Sequence, residues 1–417
     1  MSAPSDLQTL LVPEIDTDAA AEFAVLTTEA GGRLLDLAAA VDRPGPSEIT
    51  RWRKLADPAL VAAAVRLVES RRKGLAKFAR SERMWLTSKG LEQATAEGVA
   101  RHKARRFEAI DPGATVFDLC SGIGGDSVAL AASRRVVAVD LDPAMAARVR
   151  WNAEVYDVSG RVEAVSAKAE GFAIPPGAWV HVDPDRRAAS ARKSNVVADY
   201  APGVDALLGW AGSARGGAIK LGPASDFAAH FGGPDFEVEV VSLRGECKEA
   251  TVWFGGLATP GVRRRATGLP SGETWTDRDG SIRSNPRLRS TPVGPLDRWV
   301  HDPDPALIRA GLLDGFAQVN GWSRIEAGVD LMTGPERSKS SLAASFEVVD
   351  VFPLDLKVLR REVAIRGLGP LEIKTRGLSV RPEAYRAQLR PQGPNPATWI
   401  LLAGRDGPGK AILARRD

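Results

Sequence analysis

The chain has 417 residues, 44% hydrophobic and 26% charged, with a formal net charge of +4 and only two cysteines, Cys120 and Cys247. The length exceeds one ordinary core and predicts two or three domains, and the balance of apolar and charged residues excludes wholesale disorder. Two cysteines exclude a disulfide scaffold, and with four histidines at no short metal spacing they argue against structural zinc, so no metal is expected.

The opening MSAPSDLQTLLVPEIDTD has neither the basic start nor the apolar run of a signal peptide. No stretch approaches the roughly 18 uninterrupted apolar residues of a membrane span. The expectation is a cytoplasmic protein without a membrane partner. Residues 1–108 read as a helical domain. Leu60, Ala64, Leu67, Leu75 and Phe78 recur at helical intervals, Asp57-Pro58 is a helix start, and Thr87-Ser88 starts a second helix running through LEQATAEGVARHKARRF.

The texture changes at the turn signal Asp111-Pro112-Gly113. Over 109–258, short apolar runs alternate with helical stretches. TVFDL, RVVAVD, RVEAVSA, AWVHVD and GGAIKLG read as strands, with helices at SVALAAS and PAMAARVRWNAEVY. That alternation predicts an α/β domain with a parallel sheet, closed by a hairpin of EVEVVSL and EATVWFG at the sheet edge. Residues 259–291 are rich in Gly, Pro, Arg and Ser and read as loops or a linker. From 292 to 417, a helix from Pro305 precedes mixed strands and helices, which suggests a small α+β domain.

FDLCSGIGGDSVALAA carries the most chemistry. A strand ends at Asp118 and turns through Gly122, Gly124 and Gly125 into a helix, with Asp126 and Ser127 as capping residues. Glycines there bring backbone N–H groups close to a ligand. The next strand ends at Asp140, about 20 residues on, where a carboxylate can take both hydroxyls of a ribose. The loop does not read G-x-G-x-x-G, which sets it apart from nicotinamide binders. It resembles motif I of class I S-adenosylmethionine-dependent methyltransferases. That resemblance implies a Rossmann-like sheet and S-adenosylmethionine as cofactor. Asp118 would then face the methionine ammonium and Asp140 the ribose, with Cys120, Gly122, Gly124, Gly125, Asp126, Leu141, Lys168 and Ala169 completing the site. Where the family places an acid for the adenine amine, this chain has SAKAEGF, so the adenine contact falls to backbone groups or to Glu170.

The fourth strand ends in DPDRR. Class I enzymes that methylate amino nitrogens carry a polar-Pro-Pro-aromatic motif there. Asp183 and Pro184 match its first half, and Asp185 and Arg186 replace the rest. Asp183 is expected to orient an acceptor amine, with Asp185 assisting or holding Arg186. No cysteine stands in this loop, which argues against a cysteine nucleophile.

Taken together, the glycine loop, DPDRR, IKLGP and GECKEATVWF resemble bacterial methyltransferases with a C-terminal THUMP-like domain, and FPLDLKVLRREV and LEIKTRGLSV resemble that domain. The glycine loop also resembles trimethylguanosine synthase. The resemblance implies an RNA partner and methylation of a base nitrogen in tRNA or rRNA. Basic clusters at Arg71–Arg83, at Arg101, Lys103, Arg105 and Arg106, and at Arg186, Arg187, Arg192 and Lys193 flank the site. Arg101, Lys103, Arg105, Arg186 and Arg187 are therefore candidate RNA contacts, with Lys374, Arg376 and Arg381 in the tail. Methylation of a small molecule or protein, or binding without catalysis, remain the competing readings.

Overall fold

Asp57 and Pro58 start a helix for a local reason. The Asp57 carboxylate accepts a hydrogen bond from the Ala59 amide at 2.7 Å, and proline at the first helical position gives up only an amide that no helix carbonyl would have used. The computed structural model describes residues 17–186, 196–279, 291–378, 381–402 and 409–416, in two compact units.

The first unit comprises residues up to Phe236 together with Ala250–Thr259. It begins with α1 (Thr17–Thr27), α2 (Glu29–Ala39), α3 (Pro46–Trp52), α4 (Pro58–Gly74), α5 (Ser88–Gln93) and α6 (Glu97–Phe107). The single helix expected from Thr87 is two. Lys77 Nζ caps the end of α5 by donating to the carbonyls of Leu91, Glu92 and Ala94 at 2.7, 2.9 and 2.8 Å, and the chain is extended at Ala94 and Ala96 before α6 begins. Much of the first basic cluster is used in this internal way. Arg72 donates to the carbonyls of Ala39 and Val41, and Arg71 to that of Met84.

Beyond the helices come β1 (Thr115–Leu119), α7 (Gly125–Leu130), β2 (Arg135–Asp140), α8 (Pro143–Val155), β3 (Val162–Ser166), β4 (Trp179–Val182), the short pair β5 (Asp185–Arg186) and β6 (Tyr200–Ala201), α9 (Val204–Ser213), β7 (Gly216–Leu221), α10 (Phe227–Phe231), β8 (Phe236–Leu243) and β9 (Glu246–Gly255). In this unit the sheet runs β3-β2-β1-β4-β7-β9, parallel except that β9 is antiparallel to β7. The chain winds outward from β1 through β2 to β3, then restarts on the other side of β1 with β4. That reversal opens a crevice at the carboxyl ends of β1 and β4, where ligands of such sheets bind.

The second unit comprises Glu237–Glu249 and the chain from Pro260. The stretch expected to be a linker carries two strands, β10 (Arg264–Leu269) and β11 (Glu273–Thr276). β10 pairs in parallel with β8, so β8 is not at an edge. Buried acids on β8 hold β10. Glu237 accepts from Arg265 Nε at 2.6 Å and Glu239 from the Thr267 hydroxyl at 2.6 Å. β12 (Trp299–Pro303), α11 (Pro305–Arg309), α12 (Leu313–Val319), β13 (Ser323–Arg324), β14 (Met332–Gly334), β15 (Ala343–Pro353), α13 (Leu356–Ile365), β16 (Leu368–Arg376), α14 (Pro382–Leu389), β17 (Asn395–Leu402) and β18 (Lys410–Arg416) follow. Their sheet runs β13-β14-β12-β15-β18-β17-β16. Along β17, Trp399 and Leu401 pack with Leu359 and Val363 of α13, while Ile400 and Leu402 pack with Val300 and Phe346, so the strand is buried on both faces. The helix expected from Pro305 breaks at Gly311, whose φ of 68° suits glycine.

Candidate active site

The turn after β1 is built from unusual backbone. Cys120, Gly122 and Gly124 have φ of 61°, 53° and 83°. A Cβ at Gly124 would stand 3.2 Å from Val149 Cα, whereas one at Gly122 would meet nothing within 4 Å. Gly124 is thus required by packing on α8, and Gly122 borders open space. Asp140, at the end of β2, accepts from Gly122 N at 2.7 Å and from Asp142 N at 3.0 Å, which ties its carboxylate to the turn. Burial raises the Asp140 carboxyl above its ordinary range, against the pull of those two amides. Leu141 next to it is 70% exposed, an uncovered apolar face beside the acid. Ala167 N donates to Asp140 O at 2.9 Å, bringing the end of β3 alongside, where Lys168 is exposed near Glu170 and Ala169 is buried. Burial, with Asp140, Asp183 and Asp118 nearby, raises the Cys120 thiol, which stays protonated.

Several expected ligand residues lie behind the turn instead. Asp118 is fully buried. One carboxylate oxygen accepts from the Ser127 hydroxyl, and the other lies 2.7 Å from His181 Nδ1. The far nitrogen of His181 is 3.2 Å from Lys103 Nζ, and Lys103 is 3.1 Å from Asp126 Oδ1. Asp126 also accepts from the Thr95 hydroxyl at 2.7 Å. Burial alone would raise Asp126, but Lys103 and then His181 override it and hold the carboxyl far below its usual range. Lys103 is 2% exposed, so the expected phosphate contact is corrected. It lies on the apolar stripe of α6 with Val99 and Phe107, and its charge serves two buried carboxylates.

At the end of β4, Asp183 N donates to Leu119 O at 3.0 Å, placing the DPD element beside the glycine turn at the strand-order reversal. Lys220 of β7 donates to Asp183 Oδ2 at 2.6 Å and to Gln93 O at 3.2 Å. Burial raises the Asp183 carboxyl, and Lys220 opposes the shift. Pro184 is buried. Asp185 is exposed and accepts from Gln93 Nε2 at 2.7 Å, with Lys89 Nζ 4.0 Å away. Helix α5 therefore flanks the acceptor side, and its Gly90 sits against Ile123 of the glycine turn. Buried Asn152 of α8 fastens this arrangement, accepting from Trp85 N at 2.8 Å and donating to Ile123 O at 2.8 Å.

Among the candidate RNA contacts, Arg105 is exposed and Arg101 is largely exposed but paired with Glu97. Arg106 stacks 4.3 Å over Trp253. Arg186 lies in β5, and Arg187, Arg192 and Lys193 fall outside the described residues. In the tail, Lys374 and Arg376 both donate to Asp302, at 2.8 and 2.7 Å, while Arg381 is exposed. Sequence reading missed His181, Thr95, Gln93 and Lys220. His181 and Lys220 left a signal, each being a lone polar residue inside an apolar strand. Among the described residues, no group of three or more His, Cys, Asp or Glu is placed to hold a metal, and no helix is long and apolar enough to cross a membrane.

A strand-order reversal with a glycine turn on one side and a carboxylate on the other is the arrangement expected of a methyltransferase of the S-adenosylmethionine-dependent class. Comparison with known proteins agrees. Residues 113–197 match the family model described as RNA cap guanine-N2 methyltransferase, and residues 343–416 the one described as THUMP domain-like. Proteins from Mycobacterium tuberculosis strains CDC 1551 and H37Rv, both described as uncharacterized S-adenosylmethionine-dependent methyltransferases, are 34% identical over 323 residues, covering 76% of this chain and 84% of theirs. A crystal structure of a protein from Porphyromonas gingivalis W83 shares the fold at a TM-score of 0.71 and 20% identity, over 92% of this chain and 97% of that one. The chain belongs to this family of S-adenosylmethionine-dependent methyltransferases.

Proposed function

We propose that the protein methylates an exocyclic amino group of an RNA base. The observation that carries this reading is Asp183, a carboxylate raised by burial at the carboxyl end of β4 and bonded through its backbone to the strand that leads into the glycine turn. The residues around the turn fit S-adenosylmethionine. Gly122 borders open space, Asp140 stands beside it for the ribose hydroxyls, and exposed Leu141 offers an apolar face to adenine. Bound there, the cofactor supplies an electrophilic methyl on a positively charged sulfur. Asp183 accepts a hydrogen bond from the acceptor amine and aims its lone pair, and it takes the proton the amine sheds as the new N–C bond forms and the methyl's bond to sulfur breaks, which leaves a neutral thioether. Most of the rate comes from positioning in a site short of water. Asp118 acts from behind the turn, through Ser127 and His181. The THUMP-like match and the guanine-N2 family model support RNA as the acceptor.

The test is methyl transfer from labelled S-adenosylmethionine to total RNA from a strain lacking the gene, read by mass spectrometry of nucleosides. Label on a base amine supports the reading. Label only on protein or on small molecules overturns it.

A further inference from the structure

We propose that Lys220 is a specificity-determining donor, reading the unprotonated ring nitrogen beside the amine that Asp183 holds. This rests on the base-amine reading above and extends it to the edge of the base. Lys220 interrupts the apolar strand GGAIKL, and its side chain is only 12% exposed. An ammonium taken this far from water is costly unless it is matched by charge and hydrogen bonds. The match is Asp183 Oδ2 at 2.6 Å and Gln93 O at 3.2 Å. Gln93 in turn donates to Asp185 at 2.7 Å, so the end of α5 spans both acids of the DPD element.

The result is one anionic acceptor and one cationic donor, side by side at the acceptor position. An amidine edge, N–H next to a bare ring nitrogen, presents the complement. Adenine carries it at N6 and N1, cytosine at N4 and N3, and guanine at N2 and N3. When such an edge enters, the Asp183–Lys220 pair opens onto it. The carboxylate takes the amine hydrogen and the ammonium takes the ring nitrogen, so one mutual contact is exchanged for two charge-assisted hydrogen bonds to the neutral base. An amine without that neighbour, as on a lysine side chain, takes Asp183 from Lys220 and offers nothing in its place, and the site disfavours it.

The experiment is a double-perturbation cycle. Total RNA from a strain lacking the gene identifies the methylated base. A synthetic copy of that site then carries the base or its deaza analogue, which lacks the ring nitrogen: 3-deazaguanosine, 1-deazaadenosine or 3-deazacytidine. Wild-type enzyme should lose about 10- to 100-fold in kcat/KM on the deaza RNA, as expected when a charged donor is left unmet. Lys220→Met should lose as much on the natural RNA and little more on the deaza RNA, with S-adenosylmethionine binding unchanged, and Lys220→Arg should restore part of the rate. Losses that multiply would show that Lys220 and the ring nitrogen act independently and would overturn the assignment. So would wild-type enzyme that turns over both RNAs equally, a result that does not depend on the variant folding. If total RNA accepts no methyl on a base amine, the base-amine reading fails and this assignment falls with it.

Discussion

Replacing Lys103 with methionine should destabilise the first unit far more than the loss of a surface lysine would. Methionine keeps most of the stem and removes the ammonium. Asp126, 7% exposed, then keeps the Thr95 hydroxyl but loses the cation 3.1 Å away, and His181 loses its neighbour at 3.2 Å. Removing one member of a buried ion pair costs about 3–5 kcal/mol, because the other charge is left uncompensated. For a unit of this size each kcal/mol moves Tm by about 2–4 °C, so a drop of about 6–20 °C is expected. The deficit should depend on pH. In the native protein Asp126 is held below its unfolded value, which stabilises the fold above the ordinary carboxylate range. Without Lys103 the largest charge opposing burial is gone, so Asp126 rises and the folded variant loses that advantage above the carboxylate range. The deficit then shrinks as the pH falls. Thermal unfolding at pH 8 and pH 5 reads both effects, with a larger deficit at pH 8. A Tm change under about 2 °C, or a deficit that grows in acid, would refute the role assigned to Lys103.

Asp140→Ala should weaken S-adenosylmethionine binding by about 1–3 kcal/mol in calorimetry, the cost of unmet polar partners, with a smaller change in Tm. Gly122→Ala and Gly124→Ala should part company. Both place alanine at a left-handed position, which costs about 1–2 kcal/mol in stability, but the first puts its methyl into open space and should also lower cofactor affinity, whereas the second drives its methyl against Val149 and should cost more stability than the first. Asp183→Ala should abolish methyl transfer while sparing cofactor binding. Because burial raises Asp183, the acid limb of kcat/KM should lie above the usual aspartate range of about 4, and Asp183→Asn should keep residual rate without that limb. An unchanged limb in the asparagine variant would assign the titration elsewhere.

The strand–turn–helix at Asp118, the acid at Asp140 and the strand end at Asp183 were legible, because glycine spacing, strand ends and alternation are local signals. What the side chains at those positions do was less so. Asp118 and Lys103 have the composition of ligand contacts, yet both are buried partners of His181. Their pairing joins α6, β1 and β4, a relation that only the fold supplies. A trace was there for Lys103, which stands four residues from both Val99 and Phe107 and so shares their face. Strands β10 and β11 were hidden by glycine, proline and arginine. Arg265 resembles a solvated charge until buried Glu237 is seen beside it on β8. That pairing also argues against testing RNA binding by cutting the chain near residue 259, since β8 would lose β10.

The most direct measurement is methyl transfer to RNA by the full chain and by its Asp183→Ala variant, with the methylated nucleoside identified by mass spectrometry and cofactor binding measured on the same samples. The wild type should form a single methylated base amine, absent with the variant, and both should bind S-adenosylmethionine with equal affinity. A variant that still methylates the base, or a wild type that binds the cofactor yet labels no RNA base, would contradict the role given to Asp183 or the RNA acceptor.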